Sequence, residues 1–257
     1  MKHGDFTELA KYYVDRPGYS LELLKMIRNH IMKEQGIESV CAADVGAGTG
    51  KLTENLAQIG VKGYAVEPND AMRAEGVKLF AGKDAFVWSK GTAEMTNLPD
   101  ECVDWVLMGS SFHWADAPRA MEEFRRVLKP GGFFTAVWNP RDIKRSVLHT
   151  EIEEMIYREV PGLKRVSSGS TMTTELMEKK LSCSAFRDIV FMEVFYEELM
   201  TKDRYLNIWR SVNDIRVQAG EDGFRRIMNN IGIMLKDCDE IAVPYKARAW
   251  TARVCKE

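Results

Sequence analysis

The stretch ADVGAGTGKL, residues 43–52, joins a strand-like segment to a helix-like one. The apolar run Val40–Val45 leads into the glycines, and Leu52, Leu56 and Ile59 follow them at helical spacing. A glycine turn between a strand and a helix lets a ligand lie against bare backbone, and the start of the helix offers unpaired N–H groups. The stretch therefore predicts a nucleotide-type binding loop.

The residues around the glycines indicate which ligand suits the loop. A phosphate-binding Walker loop needs glycine in place of Val45 and serine or threonine in place of Leu52. A dinucleotide fingerprint needs a small residue in place of Lys51. Asp44 would repel a pyrophosphate but suits an ammonium group, and Glu67 ends the next apolar strand, where an acid accepts ribose hydroxyls. The predicted ligand has a ribose, an amino-acid end and no phosphate, as S-adenosylmethionine does.

Five motifs follow one another in an order typical of one family. They are DVGAGTG at 44–50, VEPN at 66–69, GTAE at 91–94 with LPD at 98–100, VDWV at 103–106 and RVLKPGG at 126–132. Through these motifs the first half of the chain resembles the class I S-adenosylmethionine-dependent methyltransferases. The segments YYVDRPGY at 12–19 and SSFHW at 110–114 are similar to a narrower branch, the type 11, trans-aconitate methyltransferase-like enzymes that act on small molecules. The segment YLNIWRSV at 205–212 is similar to that branch as well, less closely.

Alternating strand-like and helix-like segments predict an α/β fold with a doubly wound parallel sheet. The strand-like segments lie near Val40–Val45, Gly63–Glu67, Ala85–Lys90, Val103–Met108 and Gly132–Trp138. Later in the chain, the pattern predicts two helices, near Asp203–Ile215 and Phe224–Leu235, and two further strands. The resemblance implies a Rossmann-like, seven-stranded mixed sheet with the last strand pair antiparallel. It also implies an N-terminal helical lid and a helical cap inserted in the C-terminal half.

We expect a single methyltransferase domain, residues 1–257, with an N-terminal lid and helix at 1–37 and a cofactor-binding core at 38–139. The helical cap would comprise 140–185 and 201–237, and the final strands 186–200 and 238–254. A net charge of −2 and the lack of a long apolar run favour neither a nucleic-acid partner nor a membrane. Five scattered cysteines without a C-x-x-C pair favour a cytoplasmic protein without a metal site. The oligomeric state, monomer or homodimer, stays open.

The resemblance also implies roles for individual residues. Asp44 would bind the methionyl ammonium and Glu67 the ribose diol. The other expected cofactor-binding residues are Gly46, Ala47, Gly48, Gly50, Pro68, Met72, Ala93, Glu94 and Ser110. For Met72, packing in the core on one face of a helix is an equally good explanation. The expected substrate-binding residues are Tyr12, Arg16, Tyr19, Phe112, Trp114, Trp138, Asn139, Trp209 and Arg210.

Two roles stay open for His113, which lies just past the carboxyl end of a strand. As a neutral imidazole it would accept a proton from a substrate hydroxyl, or it would only hydrogen-bond the backbone and shape the pocket. The expected reaction is methyl transfer by in-line displacement to an O, N or C nucleophile of a small molecule, with S-adenosylhomocysteine as product. The alternatives are a non-catalytic S-adenosylmethionine-binding protein and, less favoured, a nicotinamide-dependent oxidoreductase. Arg16 and Arg210 hint at an acidic acceptor and the aromatic residues at a planar or apolar one.

Overall fold

The computed structural model describes residues 15–165, 172–182 and 185–256, so Tyr12 lies outside the described residues. Within those ranges the strands are β1 Cys41–Val45, β2 Lys62–Val66, β3 Phe86–Ser89, β4 Val103–Gly109, β5 Leu128–Trp138, β6 Phe186–Thr201 and β7 Glu240–Val254. The helices are α1 Leu21–Gln35, α2 Lys51–Gln58, α3 Asp70–Leu79, α4 Ala117–Val127, α5 Val147–Glu159, α6 Thr174–Leu181, α7 Lys202–Arg210 and α8 Asn213–Met234. Two short 3-10 turns span Phe112–Trp114 and Ile143–Arg145.

The seven strands form one mixed sheet in the order β3-β2-β1-β4-β5-β7-β6. Neighbouring strands among the first five are parallel. β7 runs antiparallel to β5, with Phe133 opposite Arg253 and Trp138 opposite Arg248. This topology confirms the doubly wound, seven-stranded sheet expected from the sequence. The strand order reverses between β1 and β4, and open α/β sheets bind ligands outside the carboxyl ends of the strands at such a point.

The helix starts differ in a way that matters for the site. Side chains of Ser20, Asn69 and Asp116 accept hydrogen bonds from backbone N–H groups in the first turns of α1, α3 and α4. α2 instead follows Gly50, which has a φ of 91° and offers no side-chain cap. The start of α2 therefore lacks the capping side chain that α1, α3 and α4 have, and it lies next to the end of β1.

The structure corrects two element boundaries. The two late helices predicted near 203–215 and 224–235 are α7, which ends at Arg210, and α8, which runs on through residues 216–223. α8 is interrupted only at Gly220, whose φ of 67° and ψ of 170° are not helical. β5 begins at Leu128 instead of Gly132, with an irregular register between Val103 and Trp105 of β4. Backbone pairing across the sheet overrides the local turn signal of the Pro-Gly-Gly sequence.

The chain divides into two compact units. The larger unit comprises Gly18–Asn139, Gly169–Val194 and Ala247–Glu257, and its core includes Phe124 stacked on Phe134 with ring centroids 4.9 Å apart. The smaller unit comprises Met1–Pro17, Pro140–Ser168 and Phe195–Lys246, and buried side chains from α5, α7 and α8 form its core. The division into lid, core, cap and final strands expected from the sequence stays a prediction. No helix in the described part of the chain is long and apolar enough to cross a membrane.

Candidate functional site

The glycine loop at the end of β1 adopts backbone conformations that L side chains rarely take. Gly46, Gly48 and Gly50 have φ values of 72°, 59° and 91°. A Cβ on Gly46 would also lie 2.9 Å from the Ser111 hydroxyl oxygen. The backbone N–H groups of Gly46 and Ala47 donate to the carbonyl of Val66 at 2.8 and 3.1 Å. The loop is therefore held against the end of β2 and presents bare backbone at the switch point of the sheet.

Asp44 is fully buried immediately before this loop. One of its carboxylate oxygens, Oδ2, accepts a hydrogen bond from the Thr53 hydroxyl at 2.6 Å. The other, Oδ1, is buried and has no hydrogen-bond partner among the described residues. Burial raises the pKa of Asp44 from 3.8 to about 7; the Thr53 hydrogen bond opposes that rise, and the negative charge of Glu67 adds to it. A buried carboxylate with a vacant acceptor oxygen is suited to a positively charged donor.

Glu67 ties the end of β2 to the same loop. Its Oε2 accepts from the backbone N–H of Gly48 and its Oε1 from that of Asn69, both at 2.8 Å. Burial raises the pKa of Glu67, and these two hydrogen bonds lower it. A carboxylate has about four lone-pair sites, so each oxygen retains one for a further donor. The two oxygens are thus rigidly held and able to accept the two hydroxyls of a ribose.

The residues expected along the adenine follow in two segments. Met72 and Ala93 are buried and Pro68 is exposed. Glu94 accepts a hydrogen bond from the backbone N–H of Asp116 at 2.8 Å, which links it to the residue that caps α4. Contact of these side chains with an adenine stays a prediction.

Three hydrogen bonds fix the segment before α1 to α2 and to the residues that follow β4 and β5. The Tyr19 hydroxyl donates to the Ser110 hydroxyl oxygen at 3.0 Å, and the Tyr19 backbone N–H donates to Asn55 Oδ1 at 2.6 Å. Asn139 Nδ2 donates to the carbonyl of Gly18 at 2.9 Å. Ser110 has a φ of 53°, which is uncommon for a residue other than glycine. Tyr19, expected to bind substrate, thus contacts the predicted cofactor residue Ser110, and Asn139 holds Gly18 next to Tyr19.

His113 lies in the 3-10 turn after β4. Its ring centroid is 4.7 Å from that of Trp114 and 6.3 Å from that of Trp138. Both ring nitrogens are buried and have no hydrogen-bond partner among the described residues. Burial and the positive charge of Lys180 lower its pKa below 6.5. The imidazole is therefore neutral at pH 7 and has an acceptor nitrogen available.

The aromatic neighbours of His113 differ in exposure. Phe112 is fully buried against Phe134, with ring centroids 5.0 Å apart, and Trp138 packs edge-on against Trp250 at 5.8 Å. Trp114 is 46% exposed. Among the members of the predicted aromatic set that the structure describes, Trp114 is thus the most exposed.

The remaining predicted substrate residues belong to the smaller unit, so their relation to the cofactor residues stays a prediction. The Arg16 guanidinium donates to the hydroxyl and the carbonyl oxygens of Ser211 at 2.9 and 3.0 Å. Arg210 donates to Asn207 Oδ1 at 2.5 Å. Trp209 is buried beneath the guanidinium of Arg141, which lies 3.9 Å from its ring centroid.

Sequence reasoning missed the partners of the predicted residues. Thr53, which orients Asp44, and Asn55, which holds Tyr19, both lie in α2. Their position just after the glycine loop was the available signal. Within the described ranges, no group of three His, Cys, Asp or Glu side chains is arranged to hold a metal ion.

Comparison with known proteins agrees with this geometry. Residues 43–136 match the family model described as "Methyltransferase domain". The uncharacterized methyltransferase Rv3342 of Mycobacterium tuberculosis is 41% identical over 132 residues, which are 51% of this chain and 53% of that protein. An uncharacterized methyltransferase of Schizosaccharomyces pombe is 34% identical over 142 residues, 53% of this chain and 52% of that protein. The chain thus spans about half the length of the curated relatives it matches.

Solved structures share the fold over most of the chain. A protein of Anaeromyxobacter dehalogenans, provisionally named a type II methyltransferase, superimposes with a TM-score of 0.66 at 21% identity and covers 94% of this chain and 99% of its own. The [4+2]-cyclase SpnF gives a TM-score of 0.51 at 16% identity and covers 90% of this chain and 81% of its own. At these identities the likeness shows the fold alone, and the cyclase illustrates that one fold carries different reactions.

Sheet topology and the matched domain agree on the class of protein. Residues 43–136 are similar to the methyltransferase domain family, and the chain has the seven-stranded Rossmann-like fold of methyltransferases.

Proposed function

We propose that this protein binds S-adenosylmethionine and transfers its methyl group to an O, N or C nucleophile of a small molecule, releasing S-adenosylhomocysteine. The observation that carries the proposal is the vacant Oδ1 of Asp44, buried beside a bare glycine loop. A pyrophosphate would bring negative charge to this carboxylate, whereas an amino-acid ammonium neutralises it. The domain match to methyltransferases supports the same cofactor.

The residues of the larger unit bind and orient in this proposal. Asp44 accepts a hydrogen bond from the ammonium, Glu67 accepts both ribose hydroxyls, and the glycine loop lets the ligand approach the backbone. A bound S-adenosylmethionine supplies a methyl group on a positively charged sulfur, which is the reactive chemistry that side chains lack. Holding a nucleophile in line with that methyl group lowers the barrier by on the order of 7–11 kcal/mol.

His113 is proposed to accept the proton that a hydroxyl acceptor loses. Its lowered pKa keeps the ring neutral, and neither nitrogen is occupied by a described residue. If the acceptor is an amine or a carboxylate, no strong base is needed and His113 only shapes the pocket. The aromatic surroundings of His113 favour a small acceptor with a flat or apolar part. The cytoplasmic location expected from the cysteine pattern remains part of this proposal.

Calorimetric titration of the full chain with S-adenosylmethionine tests the proposal, with NADH as the competing ligand. We expect saturable binding of S-adenosylmethionine and no binding of NADH, because Asp44 repels the pyrophosphate of NADH. Incubation with metabolite pools should then release S-adenosylhomocysteine. Binding without release by any acceptor would favour a non-catalytic S-adenosylmethionine-binding protein, and failure to bind would contradict the proposal altogether.

Glu67→Gln should weaken S-adenosylmethionine binding about tenfold or more, equivalent to about 1.4 kcal/mol. The amide retains one oxygen, and its NH₂ group faces a backbone N–H of Gly48 or Asn69 that now has no acceptor. Calorimetry on both proteins measures the change. Glu75→Gln, on the surface of α3, serves as the matched control and should bind as the wild type does. Equal affinity in Glu67→Gln and wild type would contradict the ribose assignment.

His113→Asn should reduce turnover by about a hundredfold or more while S-adenosylmethionine affinity changes little, if His113 is the base. Since its pKa lies below 6.5, turnover of the wild type should stay constant from pH 7 upward and fall only in more acidic solution. Release of S-adenosylhomocysteine against pH measures both effects. His30→Asn, on α1, is the control. Unchanged turnover in His113→Asn would leave this residue a packing role only.

A further inference from the structure

The smaller unit contains a second cluster of buried polar side chains. His149 lies on α5, and Tyr205 and Trp209 lie one turn apart on α7; each side chain belongs to a residue only 1% exposed. The His149 and Tyr205 rings meet edge-to-face with centroids 5.6 Å apart, and those of Tyr205 and Trp209 are 6.3 Å apart. Arg141, just after β5, completes the cluster by covering Trp209.

The guanidinium of Arg141 lies in a setting that suits an anion. Its side chain is only 13% exposed, and the nearest carboxylate oxygen, Glu153 Oε1, is 3.8 Å away, beyond hydrogen-bonding distance. Both oxygens of Glu153 instead accept from Arg165 Nη1 at 3.0 Å, and Arg165 Nε donates to Asp214 Oδ2 at 3.1 Å. Arg165 is thus hydrogen-bonded to both acids, and Asp214 Oδ1 also accepts from the Ile215 backbone N–H at 2.9 Å. Arg141 is thus ion-paired to Glu153 without a direct hydrogen bond to it, and a carboxylate ligand would supply that hydrogen bond.

Three buried polar atoms accompany this guanidinium. His149 Nε2, the Tyr205 hydroxyl and Trp209 Nε1 have no partner in hydrogen-bond geometry among the described residues. The Tyr205 hydroxyl nevertheless lies close to the N–H groups of Arg141 and Trp209, which lower its pKa while burial raises it. Polar groups buried in this way usually have partners in a folded protein.

Each of these three atoms can act as a hydrogen-bond donor. The tryptophan N–H is a donor only, and the tyrosine hydroxyl has a proton to give. The Ser146 hydroxyl oxygen accepts from the backbone N–H of His149 and lies 2.7 Å from His149 Nδ1, so its own proton can point at Nδ1. In that tautomer the proton of the neutral ring resides on Nε2, which is then a hydrogen-bond donor. Burial and the charge of Arg141 lower the pKa of His149 to about 4, so the ring is neutral at pH 7.

We propose that Arg141, His149, Tyr205 and Trp209 form a binding site for the carboxylate group of a small organic acid. One planar guanidinium with neutral donors around it matches the single charge and the flat shape of a carboxylate. A phosphate dianion would bring twice the charge to one buried cation. The guanidinium carbon of Arg141 lies 3.9 Å from the Trp209 ring centroid, and in this proposal its N–H groups donate to the carboxylate. This inference goes beyond the proposed function because every residue it uses belongs to the smaller unit. The acid is either the methyl acceptor or a separate effector.

Titration of the full chain with benzoate and acetate tests the site, with benzamide and acetamide as uncharged controls at constant ionic strength. Tryptophan fluorescence and calorimetry follow binding. We expect saturable binding of the acids alone, at least tenfold weaker in Arg141→Gln and about threefold to tenfold weaker in Tyr205→Phe. Arg225→Gln, an exposed position of the same unit, is the matched control and should bind as the wild type does. Inorganic phosphate should bind more weakly than the acids.

Equal binding of an acid and its amide, unchanged acid binding in Arg141→Gln, or a lack of saturation would overturn this inference. If Arg141→Gln fails to fold, Tyr205→Phe against Arg225→Gln gives the same comparison without removing a charge. S-adenosylmethionine affinity is measured on every variant, so failure of cofactor binding with intact acid binding counts against the proposed function alone. An acid that is methylated is the acceptor, whereas an acid that alters S-adenosylhomocysteine release without being consumed is an effector; either result supports the site.

Discussion

Asp44→Asn is expected to abolish measurable S-adenosylmethionine binding and to stabilise the ligand-free chain above pH 7. The asparagine carbonyl can still accept the Thr53 hydrogen bond, so the variant retains the local structure. It lacks the charge that would pair with an ammonium, and a buried charged pair that loses one partner typically costs 3–5 kcal/mol. Calorimetric titration should therefore show a loss of more than a hundredfold in affinity.

The effect of pH on stability follows from the raised pKa of Asp44. Its pKa is 3.8 when exposed and about 7 in the fold, so between these values the folded chain holds a proton that the unfolded chain has released. Stability then falls as pH rises through this window, and the loss is complete above pH 7. The upper bound on that loss is about 4 kcal/mol, since each pKa unit is worth about 1.4 kcal/mol. Between pH 5 and pH 8, urea denaturation should show up to about 3 kcal/mol of this loss in wild type and a much smaller change in Asp44→Asn.

The same ionisation controls ligand binding. If an ammonium requires the ionised carboxylate, apparent affinity for S-adenosylmethionine falls up to tenfold for each pH unit below about 7. Asp104→Asn is the matched control, because Asp104 is buried but its oxygens pair with Lys129 Nζ and the Cys41 backbone N–H, both at 2.9 Å. That variant should lose stability and retain its ligand affinity. Wild-type affinity that is independent of pH would contradict the role of Asp44.

Gly63→Ala should destabilise the fold by on the order of 3 kcal/mol or more. A Cβ at Gly63 would lie 1.9 Å from the carbonyl oxygen and 2.8 Å from the backbone nitrogen of Ala42, its partner on β1. Its φ of 150° is also one that L side chains rarely adopt. The clash is with backbone atoms, so β1 and β2 would have to separate to relieve it. Asp44 lies in β1 and Glu67 directly follows β2, so this separation would also disturb the two acids.

Gly60→Ala separates the clash from the backbone strain. Gly60 precedes β2 with a φ of 81°, and a Cβ there would meet nothing within 4 Å. We expect that variant to lose only about 1–2 kcal/mol. Urea denaturation of both variants measures the difference, and S-adenosylmethionine titration shows whether the loop moves with the strands. Equal losses of stability in Gly63→Ala and Gly60→Ala would show that crowding against β1 contributes nothing to the destabilisation.

The order of elements and the approximate position of the loop could be predicted because they depend on local patterns. Alternation of apolar segments with helical spacing predicts parallel strands, and parallel strands place their carboxyl ends at one edge of the sheet. That reasoning predicted Asp44 and Glu67 as neighbours, and the hydrogen bond from Gly48 to Glu67 shows the two segments in contact. The N-cap of α1 is equally local, because the Ser20 side chain accepts from the backbone N–H of Leu23, three residues later.

Other features depend on residues far apart in the chain. Sequence patterns carry no signal for the vacant oxygen of Asp44 or its pKa of about 7, because both arise from burial by surrounding strands and helices. The sequence likewise does not predict that Arg141 and His149 belong to one site. The surroundings of Arg141 depend on the hydrogen bonds that Arg165 makes with Glu153 and Asp214. Periodicity and turn residues act over a few positions, and they therefore predict the order of strands and helices. Desolvation and hydrogen-bond partners act through space, and only the folded chain determines them.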